Sequence, residues 1–252
     1  MLDPIIDDQV IEEPDVSHLV TEDDEPVDSI FSERQMKLIC DCLETSYKPG
    51  VPFISLANVG LFHLVEEPPV VPDVLLSLEV VFPTTDIHAK KNRSYFVWRY
   101  GKPPDLVVEI VSNREGGEDT RKVEHYQRLH VSYYLICDPD GHLSKRPLRL
   151  FELKGTRYVE FADPMSPLES LGLKPIWWDG EYGKYPARYL RFTDLEGNLL
   201  LTGQELAAQT RLEADRAKAE ADRAKVEAEE AIARATRLAE QLRQAGLDPE
   251  KA

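Results

Sequence analysis

The spacing of hydrophobic residues between residues 31 and 161 predicts an α/β domain. Apolar side chains recur at helical intervals over 31–47, which predicts a helix that Ser32 would cap. The run at 104–112 is almost continuously apolar, as in a strand covered on both faces. Short apolar runs predict strands at 53–65 (a strand or hairpin broken near 58–60), 70–82, 104–112 and 133–139. Residues 147–153 and 157–161 are predicted to form a hairpin.

Three segments are read differently. Residues 83–104 have turn-forming residues at both ends and an aromatic centre at 95–98. Helical spacing begins at about Asp119, between the strands at 104–112 and 133–139. Residues 164–201 contain Trp and Tyr and are interpreted only as structure at an edge of the sheet.

The C-terminal segment carries an alanine heptad. Ala207, Ala214, Ala221, Ala228 and Ala235 repeat every seven residues, and a second series, Ala217, Ala224, Ala231 and Leu238, is offset by three. This predicts a helix from about Gln204 to Gln244, ended by Gly246 and Pro249. Two interpretations are open: a coiled coil that makes the chain a homo-oligomer through 204–246, or a solvated single helix stabilised by alanine propensity and charge pairs.

Charge divides the chain further. The net charge is −16, yet residues 1–30 hold 11 acidic residues without Lys or Arg, and residues 204–252 carry a net −2, which leaves −3 for 31–203. The predicted organisation is an acidic disordered tail at 1–27, an α/β domain at 28–203, the heptad helix at 204–246 and a short tail at 247–252. A domain this close to neutral argues against tight non-specific binding of DNA.

Composition also excludes several classes of protein. The sequence has no run of about 18 apolar residues, so no membrane-spanning helix is expected. The start lacks the basic and apolar regions of a signal peptide. The three cysteines, Cys40, Cys42 and Cys137, show no metal-type pairing, which favours reduced thiols in the cytoplasm.

Two carboxylates stand out because of their apolar setting. Asp73 follows Val70-Val71-Pro72 inside an apolar strand, and Glu109 lies within the most apolar strand of the chain. An ionised carboxylate is costly in such surroundings unless a cation or a donor compensates it. Mg²⁺ or Mn²⁺ would supply that compensation and could activate water. The alternative is that Glu109 lies at an open strand end and pairs with Lys122 or Arg121.

Lys122 and Tyr126 lie four residues apart and therefore share one face of the predicted helix. A lysine that faces the carboxylates could position the attacking water or balance a scissile phosphate. The alternative is an ordinary surface cation beside a packed Tyr ring. Asp105 is a weaker candidate because it follows Pro103-Pro104 and could simply begin the strand.

These segments together resemble the PD-(D/E)XK nuclease superfamily and, more closely, the Uma-two family of restriction-type endonucleases. The resemblance covers about 55–203. Its matching residues are VPDV at 71–74, PDLVVEIVS at 104–112, then Asp119, Lys122 and Tyr126, and VSYYLICDP at 131–139. Four separate segments match in the right order.

The resemblance implies a restriction-endonuclease-like fold, in which a central mixed β-sheet is flanked by helices, and Mg²⁺-dependent hydrolysis of DNA. It makes Asp73 and Glu109 the metal ligands, with the backbone carbonyl of Val111 as a third. The superfamily signature has Lys two residues after the second acid, where this chain has Val111. Lys122 would then serve as a migrated lysine.

Two hypotheses about function remain open. The first is a metal-dependent nuclease that acts on DNA. The second is a catalytically weak or inert nuclease fold that works in binding or assembly through its C-terminal helix. The basic residues available to hold DNA are few: Arg114, Arg121, Lys122 and Arg128, with Lys90, Lys91 and Arg93.

Overall fold

The computed structural model describes residues 29–82, 86, 88–112 and 117–245. The acidic tail predicted at 1–27, the tail at 247–252 and the helix stop at Gly246 and Pro249 lie outside the described residues, as does Arg114. The chain divides into two compact units, of which the first ends at Thr202 and the second begins at Gly203.

The first unit contains ten strands and three α-helices in its described residues. The strands are β1 (Phe53–Ala57), β2 (Leu61–Phe62), β3 (Val74–Leu78), β4 (Tyr95–Phe96), β5 (Leu106–Ile110), β6 (Tyr133–Cys137), β7 (Leu148–Lys154), β8 (Arg157–Glu160), β9 (Lys174–Tyr182) and β10 (Tyr185–Thr193). The helices are α1 (Ile30–Ser46), α2 (Val97–Tyr100) and α3 (Arg121–Arg128), and short 3-10 turns lie at Lys90–Asn92 and Glu169–Leu171.

A six-stranded mixed sheet forms the centre, in the order β1-β3-β5-β6-β7-β8. Strands β5 and β6 are parallel, and every other neighbouring pair in this sheet is antiparallel. Parallel neighbours need a crossover connection, and here α3 lies within it. The order places β5, which carries Glu109, between β3 and β6.

The two faces of β5 enter separate hydrophobic cores. Val108 and Ile110 belong to the core that α1 covers. Val107 and Val111 belong to the opposite core, which includes Tyr126 of α3. Because side chains alternate along a strand, Glu109 is directed to the α3 side.

The N-cap of helix α1 lies three residues before Ser32, the predicted cap. Ser29 is the N-cap, since its side chain accepts a hydrogen bond from the Ser32 N–H at 3.0 Å. The prediction of Ser32 as the cap is therefore wrong. The helix is tied to the β9–β10 ribbon by Gln35, whose side-chain amide donates to the Leu190 carbonyl and accepts from the Leu190 N–H, both at 2.8 Å.

Several strand predictions need correction. Residues 53–65 do not form a hairpin, because β1 pairs with β3 whereas β2 pairs with β4. The chain turns between them at Asn58, whose φ is +54°. Asp73 directly precedes β3 and is not inside it. Residues 174–193 form a separate two-stranded ribbon that packs on α1, and are not an edge of the central sheet.

The predicted hairpin of 147–153 with 157–161 is confirmed as β7 and β8. The predicted fold class is confirmed as well: a central mixed sheet flanked by helices, followed by a long C-terminal helix. The second unit contains that helix, α4 (Gly203–Gln244), whose side chains are exposed along nearly its whole length. Within the described residues, no helix is both long and apolar enough to span a bilayer.

Candidate active site

Asp73 is fixed between two strands of the central sheet. Its backbone carbonyl accepts a hydrogen bond from the Asn58 N–H at 3.0 Å. Its side-chain Oδ2 accepts from the Ile110 N–H at 2.5 Å. Because Ile110 directly follows Glu109, this bond holds the Asp73 carboxylate beside Glu109. The two acids, which lie 36 residues apart in the chain, meet here as the sequence predicts.

Glu109 is completely buried and both of its carboxylate oxygens have donors from α3. The Tyr126 hydroxyl donates to Oε1 at 2.5 Å, and the Lys122 ammonium donates to Oε2 at 2.8 Å. The two donors are one helical turn apart, so a single face of α3 addresses the carboxylate. The predicted shared face of Lys122 and Tyr126 is therefore confirmed.

Burial and neighbouring charges shift the pKa values of both Glu109 and Lys122. Burial raises the pKa of Glu109 to about 8, the Lys122 ammonium works in the opposite direction, and the nearby charge of Asp73 adds to the increase. Burial acts to lower the pKa of Lys122, but the carboxylates of Glu109 and Glu118 together raise it above its ordinary value. A buried acid with a perturbed pKa beside a charged partner is a feature of functional sites.

Glu118 is a member of the cluster that sequence reasoning missed. It lies in the turn before α3, is only 7% exposed, and its Oε1 is 3.4 Å from Lys122 Nζ. Its Oε2 is buried and has no hydrogen-bond partner among the described residues. The signal that could have found it is the i, i+4 spacing of Glu118 and Lys122, whereas the resemblance drew attention to the neighbouring Asp119.

An aromatic wall closes the site on the α3 side. The Tyr126 and Tyr134 rings lie 4.9 Å apart, and Tyr134 stacks on Phe151 with centroids 5.9 Å apart. The Tyr134 hydroxyl donates to the Glu118 carbonyl at 2.8 Å. Packing therefore fixes the orientation of Tyr126 and the backbone of Glu118 together, and it limits the access of water to Glu109.

The other two predicted site residues, Val111 and Asp105, have backbone or ion-pair contacts outside the Glu109 cluster. Val111 directly follows β5, its side chain is buried, and its N–H donates to the Cys137 carbonyl at 2.8 Å. Asp105 accepts from the Leu78 N–H at 2.7 Å and from Lys102 Nζ at 2.6 Å. The interactions of Asp105 are those of a residue that joins β3 to the start of β5, and it is not part of the Glu109 cluster.

The donor set fits a hard divalent cation, although Lys122 now stands beside the carboxylates. Carboxylate oxygens are the ligands that Mg²⁺ takes in proteins, usually one or two together with water. The described residues contain no ready-made group of three or more His, Cys, Asp or Glu side chains placed to hold an ion. The carboxylates of Asp73 and Glu109 are thus chemically suited to bind Mg²⁺. In this structure the ammonium of Lys122 is the cation that compensates Glu109.

A family model described as "Putative restriction endonuclease" matches residues 23–174. The chain belongs to this family, Uma2. The matched range contains the whole Glu109 cluster and β1 to β8, whereas α4 lies outside it. The fold is nuclease-like, as the resemblance to Uma2 proteins predicts.

A solved structure also matches the chain. It is titled a "putative nuclease belonging to DUF820" from Anabaena variabilis ATCC 29413, with 14% sequence identity and a TM-score of 0.40. The match covers 58% of this chain and 77% of that chain. No curated protein matches this Uma2 chain.

Proposed function

We propose that this protein is a metal-dependent endonuclease that hydrolyses phosphodiester bonds of DNA. The observation that carries the proposal is the buried Glu109 carboxylate, held by Lys122 and Tyr126 and placed beside Asp73. Membership of Uma2 supports the reaction class. A structural ion pair alone would not require a second carboxylate and a tyrosine at the same buried point.

Each residue has a separate part in this reaction. Asp73 and Glu109 would hold Mg²⁺ or Mn²⁺, with the Val111 carbonyl as a third ligand. A bound divalent cation would stabilise charge on the phosphate and activate the attacking water. Tyr126 keeps the Glu109 carboxylate in one orientation through its hydrogen bond. Lys122 places a positive charge where the scissile phosphate or the attacking water is expected. It would thus act in place of the lysine that the superfamily signature has at the position of Val111.

DNA is the proposed substrate because the chemistry needs a phosphodiester and the exposed cations lie on suitable elements. Arg121 and Arg128 are exposed on α3, the same helix that carries Lys122. Lys91 and Arg93 are exposed in and beside the 3-10 turn that precedes β4. Such cations contact phosphates without reading bases, so these residues support binding of the backbone and no particular sequence.

The test is nicking of supercoiled plasmid DNA by the full chain with Mg²⁺ or Mn²⁺. Wild type is expected to convert the plasmid to the open circle, and both Glu109→Gln and Glu109→Ala are expected to abolish this activity. Glu124→Gln is the matched control, because Glu124 is exposed on the same helix and the substitution removes the same charge. Wild-type protein that never nicks the plasmid with either metal would contradict the proposal.

A second candidate function is assembly through α4 by a chain that is catalytically weak or inert. The observation that favours it is a 42-residue helix whose side chains are exposed and whose alanines repeat in heptads. Alanine seams bury little area, so each layer contributes weakly. Deleting residues 204–252 and measuring the mass in solution tests this function. The solution mass divided by the mass of one chain gives the number of chains in each particle. If this number is the same before and after the deletion, the helix has no role in assembly.

A further inference from the structure

Lys122 lies between two carboxylates that engage it unequally. Its ammonium is 2.8 Å from Glu109 Oε2 and 3.4 Å from Glu118 Oε1. The first distance is that of a charged hydrogen bond, and the second is longer than such bonds normally are. Glu109 therefore holds the ammonium, while Glu118 makes a longer and weaker contact with it.

The second oxygen of Glu118 is an unused acceptor inside the cluster. The side chain is 9% exposed, and Oε2 is buried without a hydrogen-bond partner among the described residues. A buried carboxylate oxygen in this state is unfavourable. Because native proteins satisfy nearly all such groups, each exception calls for an explanation such as a functional role.

The oxygens of Glu109, in contrast, are both in use. Tyr126 donates to Oε1 and Lys122 donates to Oε2. Each oxygen keeps a further lone-pair site, but a cation that approaches Oε2 would meet the like charge of the Lys122 ammonium at the same oxygen. Repulsion between the two cations therefore favours movement of the Lys122 ammonium away from Glu109 when the carboxylate binds a metal.

We propose that Glu118 is the positioning residue that receives the Lys122 ammonium when Glu109 binds a divalent cation. This inference rests on the proposed function, since it takes Glu109 to be a metal ligand. Lysine suits such a transfer because its ammonium has three donors on a flexible stem. Glu118 Oε1 already lies 3.4 Å from Lys122 Nζ, so a short movement of the ammonium is enough to bring the two into close contact.

Charge balance supports the same assignment. Asp73, Glu109 and Glu118 carry three negative charges when all are ionised, and Lys122 carries one positive charge. A divalent cation brings the cluster to neutrality. Without Glu118, the carboxylates left in the cluster would be the two proposed metal ligands, Asp73 and Glu109, and the displaced ammonium would continue to compete for them.

Lys122 and the metal are therefore competitors for Glu109, and Glu118 relieves the competition. Removing the ammonium is expected to tighten metal binding even though it removes a residue proposed to act in cleavage. Removing the charge of Glu118 is expected to weaken metal binding, but only while Lys122 is present. A direct ligand role for Glu118 predicts instead that its loss weakens binding with or without Lys122.

The experiment is calorimetric titration of the metal-free full chain with Mn²⁺ alone. Lys122→Met is expected to bind Mn²⁺ about tenfold more tightly than wild type, and Glu118→Gln about tenfold more weakly. Adding Glu118→Gln to Lys122→Met is expected to change the affinity by less than about twofold, because coupled residues are not additive. Glu124→Gln, on the exposed side of α3, is the matched control and is expected to bind as wild type does.

Three results would overturn the inference. They are an equal loss of affinity from Glu118→Gln in both backgrounds, no gain of affinity in Lys122→Met, and no Mn²⁺ binding by either wild type or Lys122→Met. Thermal unfolding checks that each variant is folded. If Glu118→Gln does not fold, Glu118→Asp replaces it: this variant keeps an acceptor, and affinity within about threefold of wild type is the supporting result, whereas a larger loss overturns the inference.

The inference and the proposed function can fail separately. A protein that shows the Mn²⁺ coupling but never nicks plasmid DNA loses only the nuclease function. A protein that nicks DNA while Lys122→Met and wild type bind Mn²⁺ equally loses only the role of Glu118.

Discussion

The Tyr126 hydroxyl donates to Glu109 Oε1 at 2.5 Å, and the two residues lie on different elements, 17 positions apart in the chain. Both side chains are fully buried. Because Tyr126 and Lys122 donate to different oxygens of Glu109, the bond from Tyr126 helps to fix the orientation of the carboxylate toward Lys122.

Tyr126→Phe is expected to lower the free energy of unfolding by about 1–3 kcal/mol, since it leaves a buried acceptor without its donor. Plasmid nicking is expected to fall as well, because the orientation of Glu109 is no longer fixed. Urea unfolding measures the first effect. Tyr185→Phe is the control, because Tyr185 is 45% exposed; equal effects of the two substitutions would contradict the role of the Tyr126 hydroxyl.

Two substitutions of Asp73 separate its effect on stability from its proposed role as a metal ligand. Asp73→Asn keeps an oxygen that can accept from the Ile110 N–H, so its stability is expected to stay within about 1 kcal/mol of wild type, the size of a typical hydrogen bond, while metal-dependent nicking is lost. Asp73→Ala removes the acceptor and is expected to cost about 1–3 kcal/mol in addition. Thermal unfolding and nicking measured on both variants check this, and an active Asp73→Asn would remove Asp73 from the proposed metal ligands.

The dependence of stability on pH follows from Glu109. Burial raises its pKa to about 8 in the folded protein from an ordinary value of 4.5, so the folded state binds the proton more tightly than the unfolded state does. The stabilising contribution of Glu109 to the free energy of unfolding is fully present below about pH 4.5 and is lost as the pH rises through about 8. The free energy falls by at most about 1.4 kcal/mol per pH unit in this range. Urea unfolding in chelator from about pH 5 to 8 measures it.

The matched control for this pH series is Glu109→Gln, which cannot titrate at this position. The stability difference between wild type and this variant is expected to shift in favour of the variant as the pH rises. Parallel stability curves for the two proteins would show that Glu109 has the same pKa in both states.

The cap of α1 makes a prediction that is independent of the site. Ser29→Ala is expected to lower the free energy of unfolding by about 0.5–2 kcal/mol, because the Ser32 N–H loses its acceptor. Ser29→Asp is expected to retain most of the stability, since aspartate also caps helices and its charge favours the helix N-terminus. Urea unfolding of both variants is the measurement, and equal losses would place the cap elsewhere.

Local patterns in the sequence determined the elements that carry the site. The unbroken apolar run around Glu109 predicts the buried strand β5, and the spacing of Lys122 and Tyr126 predicts that one face of α3 presents both side chains. These features depend only on residues a few positions apart, so they can be read without knowing the fold. The heptad of α4 is local in the same sense, and the predicted helix is confirmed while its self-association stays a prediction.

Tertiary structure decided which distant residues meet. The pairing of β1 with β3 depends on the non-local register of the sheet, so it could not be read from the interrupted segment 53–65. Likewise, the ribbon of β9 and β10 packs on α1 through Gln35, a contact across 155 residues. The crossover between β5 and β6 brings α3 close to Glu109. This placement determines that Lys122 is the cation that compensates Glu109, and it buries Glu118 in the same cluster. Spacing indicates the face on which a side chain lies, but only the packed fold determines what that side chain meets there.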